Sequence, residues 1–180
     1  MLKFNSSVSK YPFEPPLTKK SFERIFFDLF EPLRIFGMRF GLGAQESEDL
    51  VADVFCKLWE QKEDLQVKSS LKAYLFSAMR NKALNYKEQH GVSRQVGVEE
   101  AFEVAHDQMA DQQQADELQF LFQQELQSFS NNKQQIFRLS RDEEMSYKEI
   151  AEVMGISIKT VESHMSEVLK ALRKVARAYR

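Results

Sequence analysis

From residue 21 to 89, and again from 118 to 172, the apolar positions recur every three or four residues, the period of a helix with one buried face. Phe22, Ile25, Phe26, Leu29, Phe30, Leu33 and Phe36 form the first stripe, which ends at Gly41–Leu42–Gly43. Pro32 lies inside it and is expected to interrupt or kink the helix. So many phenylalanines are better explained by a packed core than by a ligand pocket. Residues 44–61 carry the second stripe, with Leu50, Val51, Val54, Phe55, Leu58 and Trp59 inward. Ser47, Glu48 and Asp49 put acids in its first turn, where the helix dipole favours them. After a loop at 62–70, residues 71–89 give a third helix with Leu71, Tyr74, Leu75, Ala78 and Met79 inward. The periodicity lapses over 91–117 and returns at Leu118, Leu121, Phe122, Leu126 and Phe129, then at Ile136, Phe137 and Leu139. Ser130 or Asn131 is the expected cap between these two segments.

The stretch SYKEIAEVMGISIKTVESHMSEVLKAL, residues 146–172, has the most definite pattern. Ser146 and Glu149 have the spacing of a capping box. Ile150, Ala151 and Met154 share one face, and Gly155 supplies the positive φ needed to leave the helix. Ser157 caps a second helix whose inner side is Val161, Met165, Leu169 and Leu172. Two helices joined by so short a turn make a helix-turn-helix, whose second helix enters the DNA major groove. Lys159, Thr160, Glu162, Ser163, His164 and Ser166 remain outside, all able to hydrogen-bond. An ordinary helical hairpin with a solvated face would leave the same pattern.

Few breakers interrupt the rest. All four prolines fall at or before Pro32, and only six glycines occur in 180 residues. The expected fold is therefore all-α, as two small helical domains joined by an acidic flexible linker. The boundaries are a lead-in at 1–18, one domain at 19–92, the linker at 93–117 and the helix-turn-helix domain at 118–180.

Charge sharpens this division. The net charge of −2 conceals three blocks. Residues 1–97 carry 15 Lys and Arg against 12 Asp and Glu, residues 98–132 carry eight acids and no Lys or Arg, and residues 133–180 carry 10 against 7. Two mildly basic blocks thus flank a strap of charge −8. From residue 168 onward the tail has five cations and no acid, suited to phosphate. The third helix offers Lys72, Arg80, Asn81, Lys82, Asn85 and Lys87 outside its core face, with Tyr74 and Phe76 as aromatic candidates. Cations that follow phosphate and rings that stack on bases suit a single strand, although a solvated helix face has the same composition.

Catalytic and metal chemistry find no support. His90, His106 and His164 lack ligand spacing, no Gly-rich phosphate loop occurs, and Asp142–Glu143–Glu144 reads as a solvated turn. The single cysteine, Cys56, excludes an internal disulfide, fits a reducing compartment and is expected to be a buried structural thiol. No run has the length of a membrane span, and the N-terminus lacks the apolar core of a signal peptide, so a cytoplasmic protein is expected. No cofactor, metal or small-molecule substrate is implied.

Taken together, ESEDLVADVFCKLWE and KAYLFSAMRNKALNY in the first block, with YKEIAEVMGIS and KTVESHMSEVLKALRK in the second, resemble an RNA polymerase sigma factor. The resemblance is to the sigma-70 family, in its compact extracytoplasmic-function group, and most to the versions found in Bacteroidetes. It implies a protein that is not an enzyme but binds core RNA polymerase and promoter DNA and is held by an anti-sigma partner, often membrane-bound. It assigns core polymerase contact to Asp49, Leu50, Asp53 and Lys57. It assigns −10 recognition and melting to Lys68, Ser69, Tyr74, Arg80, Asn81, Lys82 and Asn85, and −35 recognition to Lys148, Ser157, Lys159, Thr160, Glu162, Ser163, His164, Ser166 and Lys170. The chain departs from the family at Ala52, usually Gln, at Phe129–Ser130, usually Leu-Pro, and at Glu162, often basic. The acidic strap, by its charge, is suited to lie in the basic RNA path of the polymerase until transcript displaces it; a merely soluble spacer would have the same composition. The competing functional reading is a helix-turn-helix regulator that binds duplex DNA without polymerase, and a protein-only adaptor is a third.

Overall fold

The computed structural model describes residues 17–63, 65, 67–91 and 111–179. Among them lie seven α-helices and no strand: α1 Lys19–Met38, α2 Ala44–Glu60, α3 Leu71–His90, α4 Asp111–Gln127, α5 Asn131–Arg141, α6 Tyr147–Met154 and α7 Ile158–Ala178. The fold is all-α. The chain divides into two compact units, the first holding α1–α3 and the second α4, α5, α7 and the start of α6. Most of the expected lead-in, and the linker up to residue 110, lie outside the described residues. Thr18 caps α1 by accepting from the Ser21 amide at 3.2 Å, and α4 begins at Asp111, so 111–117, expected in the linker, are helical.

In the first unit the inner rows of three helices meet. Ile25, Leu29, Leu33 and Phe36 of α1 pack with Val51, Val54, Phe55 and Leu58 of α2 and with Leu71, Leu75, Phe76 and Met79 of α3, all buried. Each such side chain contributes about 1.5–3 kcal/mol by leaving water. The rings of Phe36 and Phe76 lie 5.0 Å apart, and Phe22 and Phe26 both meet Phe55. This packing carries α1 through Pro32 as one helix, so the expected interruption does not occur. Proline there removes one intrahelical hydrogen bond, and burial of Leu29, Leu33 and Phe36 outweighs that loss.

Three further expectations change with the packing of these helices. A Cβ on buried Gly37 would overlap Met79 Cε and Ser47 Oγ, so only glycine lets α1 approach both neighbours. Ser47 is fully buried and donates its hydroxyl to the Arg34 carbonyl at 2.6 Å. It is a crossing residue, and the acid in the first turn of α2 is Glu46, one turn ahead of Asp49. Cys56 is exposed, because Phe55 and Leu58 hold the inner row and the next position turns outward. Phe76 is fully buried and cannot stack on a base, whereas Tyr74, expected inward, is half-buried.

In the second unit Leu126 packs on Val168 and Leu172, with Phe122, Phe129 and Phe137 around them. The Tyr179 hydroxyl donates to Glu117 at 3.0 Å, so α4 and α7 run antiparallel. Ser130 stands at the N-cap of α5, but its side chain makes no cap hydrogen bond there. Lys133 of α5 pairs with Glu167 of α7.

Gly37→Ala is expected to destabilise the first unit by about 1–3 kcal/mol through overpacking. A urea titration with Trp59 fluorescence as probe reads this. An unchanged midpoint would show that α1 is free to shift at this crossing.

Candidate nucleic-acid interface

The local chemistry of 146–160 builds the helix-turn-helix from the backbone upward. The Ser146 amide donates to Glu149 Oε2 at 2.9 Å, and the Glu149 amide donates back to Ser146 Oγ at 3.3 Å. This is the capping box expected from the spacing. At the other end of α6 the Gly155 amide donates to the Glu152 carbonyl at 3.3 Å, and the Ile156 amide to the Ala151 carbonyl at 3.1 Å. With Gly155 at φ 65°, these two bonds make a Schellman stop. Ser157 then caps α7 by accepting from the Thr160 amide at 3.1 Å.

On α7, Val161, Met165, Val168 and Leu172 are buried, with Val168 rather than Leu169 in the inner row. Lys159, Glu162, Ser163, Ser166 and Lys170 are exposed and fall three or four residues apart on the opposite face. Arg173 and Arg177 continue the same line. Their cations alone mark them as suited to phosphate; their spacing from Lys159 and Lys170 is what aligns them with this row. Thr160 and His164 sit on the flank, half-buried. The Thr160 hydroxyl is 2.8 Å from that of Ser157, so both hydroxyls serve the cap. His164 Nδ1 is buried with no hydrogen-bond partner. Glu167 lies on that flank too, its carboxyl held below the usual range by Lys133. Lys148 is exposed on α6, and Ile158 in the first turn of α7 is exposed although an apolar residue there reads as core.

On α3, Asn81 and Asn85 are exposed and share an outward row with Tyr74. Burial pushes the Tyr74 phenol above its ordinary range. Ser70 accepts from the Ala73 amide at 3.1 Å and Gly91, at φ 61°, ends the helix. Arg80 is half-buried on one flank, Lys68 is exposed before the helix and Ser69 is half-buried. Lys82, on the other flank, turns to α2 and pairs with Asp53 at 2.9 Å.

On α2, Asp49, Asp53 and Lys57 are exposed together with Ala52, Cys56 and Glu60, while Leu50 is half-buried. Gln45 Nε2 donates to Asp49 Oδ1 at 3.2 Å.

These three polar faces fall within two family matches. Residues 33–92 match the Sigma-70 region 2 family, and residues 119–172 match Sigma-70, region 4. The chain carries both sigma-70 regions. Region 2 thus takes in the end of α1 with α2 and α3, and region 4 runs from α4 into α7. The fold is similar to that of the sigma factor RpoE, solved with the anti-sigma factor NepR from Bartonella quintana, at 25% identity and TM-score 0.61, covering 89% of this chain and 99% of that one. It is also similar to CnrH, solved with the cytosolic domain of CnrY, at 20% identity and TM-score 0.55, covering 89% and 90%. No curated protein matches in sequence. Among the described residues, no helix is long and apolar enough to cross a membrane.

Gly155→Ala is expected to cost region 4 about 1 kcal/mol or more, because an L side chain is strained at this φ. Thermal unfolding followed by circular dichroism measures it; an unchanged midpoint would mean the turn re-forms without positive φ.

Proposed function

We propose that the chain is a sigma factor of the extracytoplasmic-function group, of Bacteroidetes type, which binds core RNA polymerase and directs it to promoters. The observation that carries this reading is the presence of sigma-70 regions 2 and 4 in one chain, with polar faces left outside the core on α2 and α3 of region 2 and on α7 of region 4. The protein acts by binding and is not an enzyme. It works in the cytoplasm.

Asp49, Asp53 and Lys57, with Leu50 at their edge, contact the polymerase; exposed charges of this kind set specificity and on-rate more than affinity. The outward row of α3 holds the non-template strand of the −10 element. Tyr74 stacks on a base, Asn81 reads the edge of an unpaired one, and Lys68, Ser69, Arg80, Lys82 and Asn85 hold the strand around it. Unstacking costs a few kcal/mol, which these contacts recover. The exposed face of α7 reads the −35 element in duplex form. Ser163 and Ser166 meet base edges, Glu162 is suited to cytosine N4, and Lys148, Lys159 and Lys170 meet phosphates. An anti-sigma protein holds the chain inactive, a reading supported by the similarity to RpoE, solved with such a partner.

Run-off transcription on a genomic promoter library, with core polymerase and the purified chain, tests the proposal. New start sites that require the chain are expected. An operator footprint by the chain alone, with no change in initiation, would favour an independent DNA-binding regulator. Asn81→Ala is expected to slow open-complex formation about tenfold, the worth of one lost base contact, while leaving polymerase association intact. Permanganate reactivity of the melted strand reads the first and co-elution with core enzyme the second; undiminished melting would remove Asn81 from −10 readout. Ser163→Ala is expected to change the −35 preference, and equal loss on every promoter would reduce Ser163 to positioning.

A further inference from the structure

Two residues with different partners under the proposed function are bonded to each other in the free protein. Lys82 Nζ of α3 lies 2.9 Å from Asp53 Oδ2 of α2. Lys82 belongs with the DNA strand and Asp53 with the polymerase, yet each is occupied by the other. We propose that Asp53 is a positioning residue that holds Lys82 until the polymerase takes its carboxylate. The inference rests on the sigma reading of both faces.

The geometry sets the direction of the effect. Asp53 is the more open partner, with a side chain 63% accessible against 33% for Lys82. An incoming cationic side chain therefore reaches the carboxylate first, from the outward face of α2 that also bears Asp49 and Lys57. Once Asp53 accepts from that cation, the Lys82 ammonium has lost its local counter-charge. It sits one residue after Asn81, beside the row that faces the strand, and phosphate becomes its best available partner. Polymerase binding and strand binding then favour each other, and the coupling acts equally in both directions. Without polymerase the pair withholds a cation from DNA.

An exposed pair of this kind has a modest effect, and the expected coupling is about two- to five-fold. The test is a double-mutant cycle on the full chain. The probe is a fluorescein-labelled fork-junction DNA bearing a start site mapped by run-off transcription, read by anisotropy at low salt. Without polymerase, Asp53→Asn should raise affinity two- to five-fold in the presence of Lys82. In the Lys82→Gln background the same substitution should give a clearly smaller gain. Equal gains in both backgrounds would show that Asp53 acts only through net charge, and would overturn the proposal. Failure of the wild-type chain to associate with core polymerase would instead overturn the functional reading beneath it, and co-elution reports that separately.

Discussion

A helix of this chain can offer a polar face to a partner only because its opposite face is wholly committed to a core. Val161, Met165, Val168 and Leu172 commit α7 in this way, and Leu71, Leu75, Phe76 and Met79 commit α3. Close packing fixes the rotation of each helix about its own axis, and so fixes which residues point out. Rotating α7 by one position would bury Glu162 and expose Val161. The Schellman stop at Gly155 and the Ser157 cap hold the start of α7, while the Gly37 crossing does the equivalent work among α1, α2 and α3. The candidate interfaces are therefore consequences of apolar burial, with polar residues chosen freely on what remains.

Electrostatics is arranged on top of this scaffold with little cost to stability. The ion pairs Lys82–Asp53 and Lys133–Glu167 link neighbouring helices at partly exposed positions. Such pairs contribute little to folding, and their effect lies in deciding where charge is available. Lys133 pairs with Glu167 on the flank of α7, which offsets negative charge near the exposed row. The cations Lys159, Lys170, Arg173 and Arg177 continue along that row without intervening acids beyond Glu162 and Glu167. The net charge of the whole chain says nothing of this, because the acidic strap cancels it.

Helical periodicity made the number and order of the elements legible, and capping chemistry made the helix-turn-helix legible down to the Ser146–Glu149 box. Finer placement depended on crossings that no local pattern encodes. Ser47 looked like a first-turn residue and is buried at α1 because Gly37 opens a gap there. Phe76 is fully buried and Tyr74 half-buried because α3 presents a wide inner face to two helices at once, and a single apolar stripe does not locate its edge. Cys56, an apolar-looking neighbour of Phe55, lies just past the buried row of α2 and is exposed for that reason. Pro32 does not end α1 because tertiary packing overrides a local breaker. On α7 the exposed row was legible from spacing alone, whereas the use of Thr160 in the cap and the burial of His164 Nδ1 required coordinates.

The central claim is that both polar faces engage one promoter only when the chain is seated on RNA polymerase. Hydroxyl-radical footprinting of a mapped promoter, with the chain alone and with the chain plus core enzyme, tests it most directly. The account predicts little protection by the chain alone and joint protection of the −35 and −10 elements when core enzyme is added. Full protection of either element by the chain alone, unchanged by polymerase, would contradict it.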